Sequence, residues 1–164
     1  MRTTMSLITA AAILSGGAAG TVRAQSAHVI QTPAEAKWGP APPMLPAGAE
    51  IAVLSGDPGK AAPYTVRLKF PANYAVPAHS HPTDENVVVL SGALTLGMGD
   101  KLAKGAAGNK TLSAGGYFLA PANMNHFAYA GAQPVTIVLY GQGPVDFKYV
   151  NPSDDPRNKK TATR

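Results

Sequence analysis

The sequence contains no cysteine among its 164 residues. Disulfide bonds and thiolate metal ligands are therefore excluded, as is a lipid-modified cysteine at a mature N-terminus. A metal ion could be bound only through histidine nitrogens and carboxylate oxygens, which suit many divalent transition metals. Any metal site in this chain must therefore be sought among its four histidines and nine acidic residues.

Charged residues are also scarce, at 14% of the chain, although the formal net charge is +5. Two of the positive charges, Arg2 and Arg23, precede the expected mature protein, and four more lie after residue 156. The remainder is close to neutral and shows no basic face with interleaved aromatic residues. We therefore predict no nucleic-acid partner.

No apolar run is long enough to span a bilayer. Residues 7–14, LITAAAIL, follow Arg2 and precede small residues, a pattern typical of a secretory signal peptide. We predict a signal peptide over residues 1–24, with Gln25 as the first mature residue. Cleavage after Ala27 is the alternative. The expected product is a secreted, periplasmic protein with no membrane contact after cleavage.

Glycine and proline are abundant, with 17 and 15 residues spread between short apolar runs. This spacing indicates turns that link short strands. Residues 99–116 are predicted to form a polar connection, which could include a helical turn at 100–104. The predicted strands are 51–54, 64–70, a histidine-bearing strand at 79–81, 86–90, 93–98, 117–120, 125–129, 135–140 and 145–150. So many short strands imply an all-β antiparallel sandwich or barrel over residues 50–150.

The segments that flank the predicted barrel have different compositions. Five prolines between Pro33 and Pro46 exclude a helix and most sheet pairing. We predict that residues 25–49 form an extended arm laid over the barrel and anchored by Trp38. A pocket-lining role for Trp38 is the alternative. Residues 151–164 are predicted to form a flexible polar tail.

Three of the four histidines occur in a context that favours metal binding. His79 and His81 would share one face of a strand, with Cα atoms roughly 6.6 Å apart. Two imidazole nitrogens at that spacing can bind one ion. A turn follows, after which Glu85 could return a carboxylate to the same point. His126 follows a second glycine-containing turn, whereas His28 has no such context.

These residues resemble the two motifs of a single-domain cupin. The first motif, Gly-x5-His-x-His-x3-Glu-x6-Gly, is matched by His79, His81, Glu85 and Gly92, with Asn73 in place of its opening glycine. The second, Gly-x5-Pro-x-Gly-x2-His-x3-Asn, is matched by Gly115, Pro121 and His126, with Asn123 and Ala130 as departures. Asparagine also tolerates the positive φ that a turn glycine adopts.

The resemblance implies a double-stranded β-helix, or jelly-roll, barrel of the cupin type-2 kind. The chain is also similar to the cupin domain of ChrR-type anti-sigma factors. We expect no counterpart of their separate zinc-binding domain, and the predicted export makes a sigma-factor role unexpected. By resemblance, the metal ligands are His79, His81, Glu85 and His126, around one divalent transition metal with two positions left for water or substrate. Iron, manganese, nickel, copper and zinc all stay possible.

Strand alternation predicts which neighbours of these residues face the site and which face away from it. If Glu85 faces inward, Val87 and Val89 should form the floor of an apolar cavity. If His126 faces inward, Phe127 and Tyr129 should face outward, into packing or an interface. Asp84 should point away from the site, so a general-base role for it is a minor alternative.

Two functions follow from the resemblance. The first is a secreted metalloenzyme, of dioxygenase type or an isomerase or lyase, that acts on a small organic molecule; its catalytic residues beyond the metal ligands are unassigned. The alternative is a non-catalytic periplasmic cupin that binds a small ligand or a metal. A homodimer is expected by analogy, through apolar surface from Phe127, Tyr129 and residues 135–140.

Overall fold

The computed structural model describes residues 28–158. The predicted signal peptide, both of its alternative cleavage sites and the last six residues of the predicted tail lie outside this range. Within it, no helix is both long and apolar enough to cross a membrane.

The described residues form an all-β structure of eleven strands with two short 3₁₀ helices, Pro33–Glu35 and Pro156–Asn158. This confirms the predicted fold class. The strands are β1 (Gly39–Pro40), β2 (Glu50–Ser55), β3 (Pro63–Phe70), β4 (Ala75–Ser80), β5 (Glu85–Ser91), β6 (Ala93–Met98), β7 (Lys110–Ser113), β8 (Tyr117–Ala120), β9 (His126–Ala130), β10 (Val135–Gln142) and β11 (Lys148–Tyr149).

Strand β7 corrects the prediction for residues 99–116. It pairs with β6, and Thr111 Oγ1 lies 2.8 Å from Thr95 Oγ1 across the pair. Residues 100–104 contain no helix. This strand was not predicted because Leu112 is its one apolar residue, so the usual alternation of apolar and polar residues is weak.

Two antiparallel sheets face each other across the core. One has the order β1-β2-β3-β10-β5-β8 and the other β11-β4-β9-β6-β7. Strand β3 shows the predicted alternation, with its inward side chains buried between the sheets. The core is built from aliphatic and aromatic residues of both sheets, including Val66, Leu68, Phe70, Val89, Leu94, Val135 and Ile137.

Both asparagines that replace motif glycines adopt the left-handed backbone conformation. Asn73 has φ 62° and Asn123 has φ 61°. This confirms that asparagine takes over the role of glycine at these turns, because few other L-residues tolerate that region. Asn123 also donates its backbone N–H to the carbonyl of His81 at 2.7 Å. This bond ties the second turn to the histidine-bearing segment.

The arm is more closely integrated into the barrel than an extended cover would be. Two residues, Gly39 and Pro40, pair with β2, and Leu45 is buried in the core. The hydroxyl groups of two core tyrosines, Tyr74 and Tyr149, donate to arm carbonyls at 2.5 Å and 2.7 Å respectively. The ammonium nitrogen of Lys69 lies 3.9 Å from the centroid of the Trp38 ring. Trp38 therefore has a packing role, by a cation–π contact.

The chain after β11 remains attached to the barrel as far as residue 158. Arg157 forms ion pairs with Asp155 at 2.8 Å and Asp146 at 2.9 Å. Its guanidinium group also donates to the carbonyl of Phe147 at 2.6 Å. Residues 151–158, predicted as the start of a flexible tail, are held in place because a planar guanidinium can bridge several acceptors at once.

Candidate metal centre

The four residues assigned by the cupin resemblance lie together between the two sheets. His79 on β4 is in register with His126 on β9, and His81 follows directly after β4. Glu85 begins β5 in the opposite sheet. All four side chains are buried, at 2–7% exposure. Ring nitrogens of the three histidines lie within 4.8 Å of one another, close enough to hold one metal ion.

A backbone carbonyl fixes the orientation of each of the three imidazole rings. In each ring Nδ1 contacts a carbonyl oxygen, which can only accept, so Nδ1 carries the proton. In a neutral ring, Nε2 is then left with a lone pair that can bind a metal. The contacts are His79 to Pro77 at 2.7 Å, His81 to Asp146 at 2.8 Å and His126 to Met124 at 3.1 Å.

Glu85 faces two of these Nε2 atoms. Its carboxylate oxygens lie 3.4 Å from Nε2 of His81 and 3.9 Å from Nε2 of His126. Neither approach forms a hydrogen bond, and Nε2 of His81 is buried with no hydrogen-bond partner among the described residues. Such an orphaned polar atom is costly unless something else binds it. The donor set therefore fits a divalent transition metal.

Burial and the Glu85 carboxylate set the charges of the site. Burial lowers the pKa of His79 to about 3, helped by the neighbouring imidazoles, and burial also lowers the pKa of His126. Burial opposes the charged form of His81 as well, but attraction to Glu85 outweighs it and leaves the pKa of His81 raised. Burial likewise opposes ionisation of Glu85, yet His81 keeps the pKa of Glu85 low. Two neutral imidazoles therefore stand beside an ionised carboxylate.

Phe147 packs against the histidines, a role that the motifs did not predict. Its ring stacks on His79 with centroids 4.6 Å apart and meets the edge of His81 at 4.5 Å. The residue lies just before β11, outside both cupin motifs. No sequence signal marked it beyond its position in the predicted strand 145–150.

An apolar cavity of about 310 Å³ extends from Glu85 towards the β2–β3 turn. The arm supplies part of its wall through Pro42, Met44 and Leu45, which the prediction of an extended cover did not anticipate. Tyr64 also lines it. A smaller space of about 30 Å³ is lined by His79 and His126.

The remaining neighbours follow strand alternation. Val87 lines the smaller space, as predicted, whereas Val89 is buried in the core and lines neither cavity, so the predicted floor holds for Val87 alone. Asp84 is exposed and accepts a hydrogen bond from Ala122 N–H at 2.8 Å, away from the histidines. A general-base role for Asp84 therefore has no support.

Phe127 and Tyr129 lie on the face of β9 opposite His126, as predicted. Phe127 is 1% exposed, so it packs within the chain and offers no surface for dimer formation. The sequence-based choice of Phe127 as interface is therefore wrong. Tyr129 accepts a hydrogen bond from the backbone N–H of Gly105 at 3.3 Å, which holds the loop before β7.

The family model described as the ChrR cupin-like domain matches residues 26–146. This chain belongs to that cupin family. The cupin fold explains why the histidines and Glu85 come from facing sheets. No curated protein matches the sequence.

Solved structures share the cupin architecture at low sequence identity. The polyketide cyclase RemF from Streptomyces resistomycificus is 20% identical, with TM-score 0.55 over 66% of this cupin and 75% of RemF. KdgF from Halomonas sp. is 21% identical, with TM-score 0.52 over 73% of this cupin and 96% of KdgF. The DMSP lyase DddQ from Ruegeria pomeroyi DSS-3 is 20% identical, with TM-score 0.51 over 67% of this cupin and 57% of DddQ. These likenesses establish the fold alone.

Proposed function

We propose that this cupin is a metalloenzyme that binds one divalent transition metal and acts on a small organic molecule. The observation that carries the proposal is the buried Nε2 of His81, which has no hydrogen-bond partner among residues 28–158 and lies beside an ionised carboxylate. The ligands would be His79, His81, His126 and Glu85. The ion would supply Lewis-acid or oxygen-activating chemistry.

The protein's own residues would orient and isolate the reacting molecule. The carbonyls that hold Nδ1 of each histidine fix the direction of every Nε2 atom. Glu85 supplies the one buried negative charge among residues 28–158, and Phe147 shields the histidines from water. The 310 Å³ cavity leads directly to Glu85, so a substrate held there would meet the metal site.

Solved structures of enzymes that share this fold favour an enzymatic role over pure binding. A polyketide cyclase and a DMSP lyase have the same architecture. We infer a reaction of dioxygenase, isomerase or lyase type.

The test is to supply the metal-loaded protein with small aromatic and aliphatic candidates while oxygen uptake and product masses are followed. Turnover that is lost in His126→Ala supports the proposal. Stoichiometric metal binding without turnover of any candidate would contradict the enzymatic part.

The alternative function is a non-catalytic cupin that binds a small ligand or a metal. One observation favours it. Among residues 28–158, the cavity wall offers no carboxylate other than Glu85 and Asp57, and Asp57 is exposed at the rim. A thermal shift on ligand addition, with the ligand recovered unchanged, supports this alternative.

We also propose export to the periplasm and a homodimer. Export rests on the leader pattern of residues 1–24. The dimer rests on exposed apolar residues on the outer face of β5, β8 and β10, where Asn86 lies between Leu119 and Tyr140 across paired strands. Tyr117 extends the same face. An apolar patch of this kind marks a protein interface.

A further inference from the structure

The wall of the 310 Å³ cavity is apolar almost throughout. Its polar side chains are Asp57, Tyr64 and Glu85. Asp57 is already engaged, because it accepts the Gly59 N–H at 2.9 Å and pairs with Lys60 at 3.4 Å. Glu85 faces the histidines. The apolar lining residues are Pro42, Met44, Leu45, Ile51, Pro58, Val66, Leu68, Leu139, Val145 and Phe147.

Tyr64 presents the one disengaged polar group of this wall. The side chain is 5% exposed, and no hydrogen bond joins its hydroxyl to any residue between 28 and 158. Burial, with the nearby Glu85 charge, raises the pKa of Tyr64, so the hydroxyl stays protonated and can donate. Tyr64 lines the cavity, so a molecule bound there can accept a hydrogen bond from this hydroxyl.

In the metal-free protein, the charges around the cavity select against anions. Neither lysine nor arginine lines it within the described part of the chain, whereas Asp57 and Glu85 are both acidic. A sugar would need several hydrogen-bonding partners, and the wall offers a single free hydroxyl. Polar groups that lose water without finding partners weaken binding.

We propose that this cavity takes a small, uncharged and mainly apolar molecule, whose single oxygen accepts a hydrogen bond from Tyr64. A volume of about 310 Å³ lies at the lower end of ligand pockets and suits a molecule of one or two rings. The inference rests on the proposed function in one respect, namely that the oxygen-bearing end of this molecule is the part that reacts at the metal site. The cavity itself needs no ion to bind its ligand.

The test uses the full chain after chelator treatment and three probes with the same two-ring body: naphthol, naphthalene and naphthoate. Naphthol should bind most tightly. Naphthalene should bind about 3- to 10-fold more weakly, the effect of one hydrogen bond. Naphthoate should bind at least about 10-fold more weakly than naphthol, since its charge would be buried without a counter-charge. Dissociation constants come from calorimetry.

Two tyrosine variants localise the binding. Tyr64→Phe should weaken naphthol to the level of naphthalene and leave naphthalene unchanged. Tyr140→Phe removes a hydroxyl from the outer face of the sheet and should change neither affinity. A loss in Tyr140→Phe instead of Tyr64→Phe would place the probes on the outer face and overturn the proposal. Circular dichroism checks that both variants are folded.

Other outcomes would also overturn the proposal. Naphthoate binding as tightly as naphthol would indicate an anionic substrate class. No binding of naphthol by the folded protein would show that the cavity takes no ligand of this kind. Metal content is measured separately on untreated protein. If the untreated protein contains no metal and naphthol still binds through Tyr64, the proposed function is contradicted and this inference stands.

Discussion

At the scale of single residues, the pair His81 and Glu85 determines the chemistry of the site. The Glu85 carboxylate lies close enough to favour protonation of the His81 imidazole, yet the two groups form no hydrogen bond. Together they place a negative charge and an unpartnered nitrogen in a buried space. His81 and Glu85 would both help to hold a divalent cation, and His81 would have to be deprotonated to do so, because metal binding and proton release are coupled.

Glu85→Gln should weaken metal binding while the fold is kept, because the amide preserves the size of the side chain and removes its charge. We expect the affinity for manganese(II) to fall by at least about tenfold, as when a group beside metal ligands is changed. Calorimetric titration gives the constants.

The matched control is Asp84→Asn, which removes an adjacent charge that points away from the site. It should change the affinity less than about twofold, since exposed charges are well screened. Equal losses in both variants would mean that only long-range charge matters and that Glu85 does not contact the metal.

The motif residues could be predicted from spacing because each faces the site by strand alternation or turn geometry. Asn73 and Asn123 were predictable for the same reason, as residues that tolerate positive φ. The role of Tyr64 was not predictable. Its inward direction follows from alternation in β3, but only the tertiary structure shows that its hydroxyl meets a cavity and not a partner.

At the scale of elements, a glycine allows β6 to pack against the strand that holds His126. Gly97 pairs with Phe127 across β6 and β9, and the Phe127 ring covers it. A Cβ atom at Gly97 would collide with that ring and with Asn109. The absence of a side chain here therefore sets the position of β9.

Gly97→Ala should destabilise the protein by about 1–3 kcal/mol, the usual cost of overpacking. The measurement is urea unfolding, which gives the free energy of unfolding. The control is Gly39→Ala, also in a strand, where a Cβ atom meets nothing within 4 Å. If both variants lost the same stability, the contact with Phe127 would not be the cause.

The arm is a structural element of the cavity, which composition alone did not predict. Its prolines indicated an extended chain, but they carry no information about the depth at which Leu45 enters the core. That depth is fixed by Tyr74 and Tyr149, whose hydroxyl groups reach the arm from distant strands. Long-range contacts of this kind have no local signature.

Leu45→Ala should cost about 2–5 kcal/mol of unfolding free energy, because it removes a buried side chain between the arm and the barrel. Met98→Ala serves as the control, since Met98 is exposed at the end of β6, in the other sheet and away from the proposed dimer face. It should change stability by about 0.5 kcal/mol or less. Similar values for both would show that the arm only rests on the surface.

At the scale of the whole molecule, the two sheets have separate tasks. One sheet presents the three histidines on β4, the chain after it and β9, whereas the other presents Glu85 at the start of β5. The site exists only when the sheets face each other. The fold and the clustering of the four motif residues were predictable because the cupin motifs encode both. The burial of Phe127 was not predictable, since strand alternation does not tell whether an outward residue is covered.

The proposed dimer gives a prediction at this scale. Light scattering after size exclusion should give twice the chain mass. Leu119→Lys should give the mass of one chain, because it places a charge in the apolar outer face. Met124→Lys, at an exposed apolar residue outside that face, should leave the dimer intact. A single-chain mass for the unaltered protein would contradict the proposal.

The most direct test of the central claim is the metal content of the protein from Gln25 onward, purified without chelator or nickel affinity. We expect about one equivalent of a divalent transition metal. His81→Ala and His126→Ala should lose it, and His28→Ala, which alters the one histidine outside the cluster, should retain it. No bound metal in the parent, with every variant equally folded, would contradict the account of a metal centre.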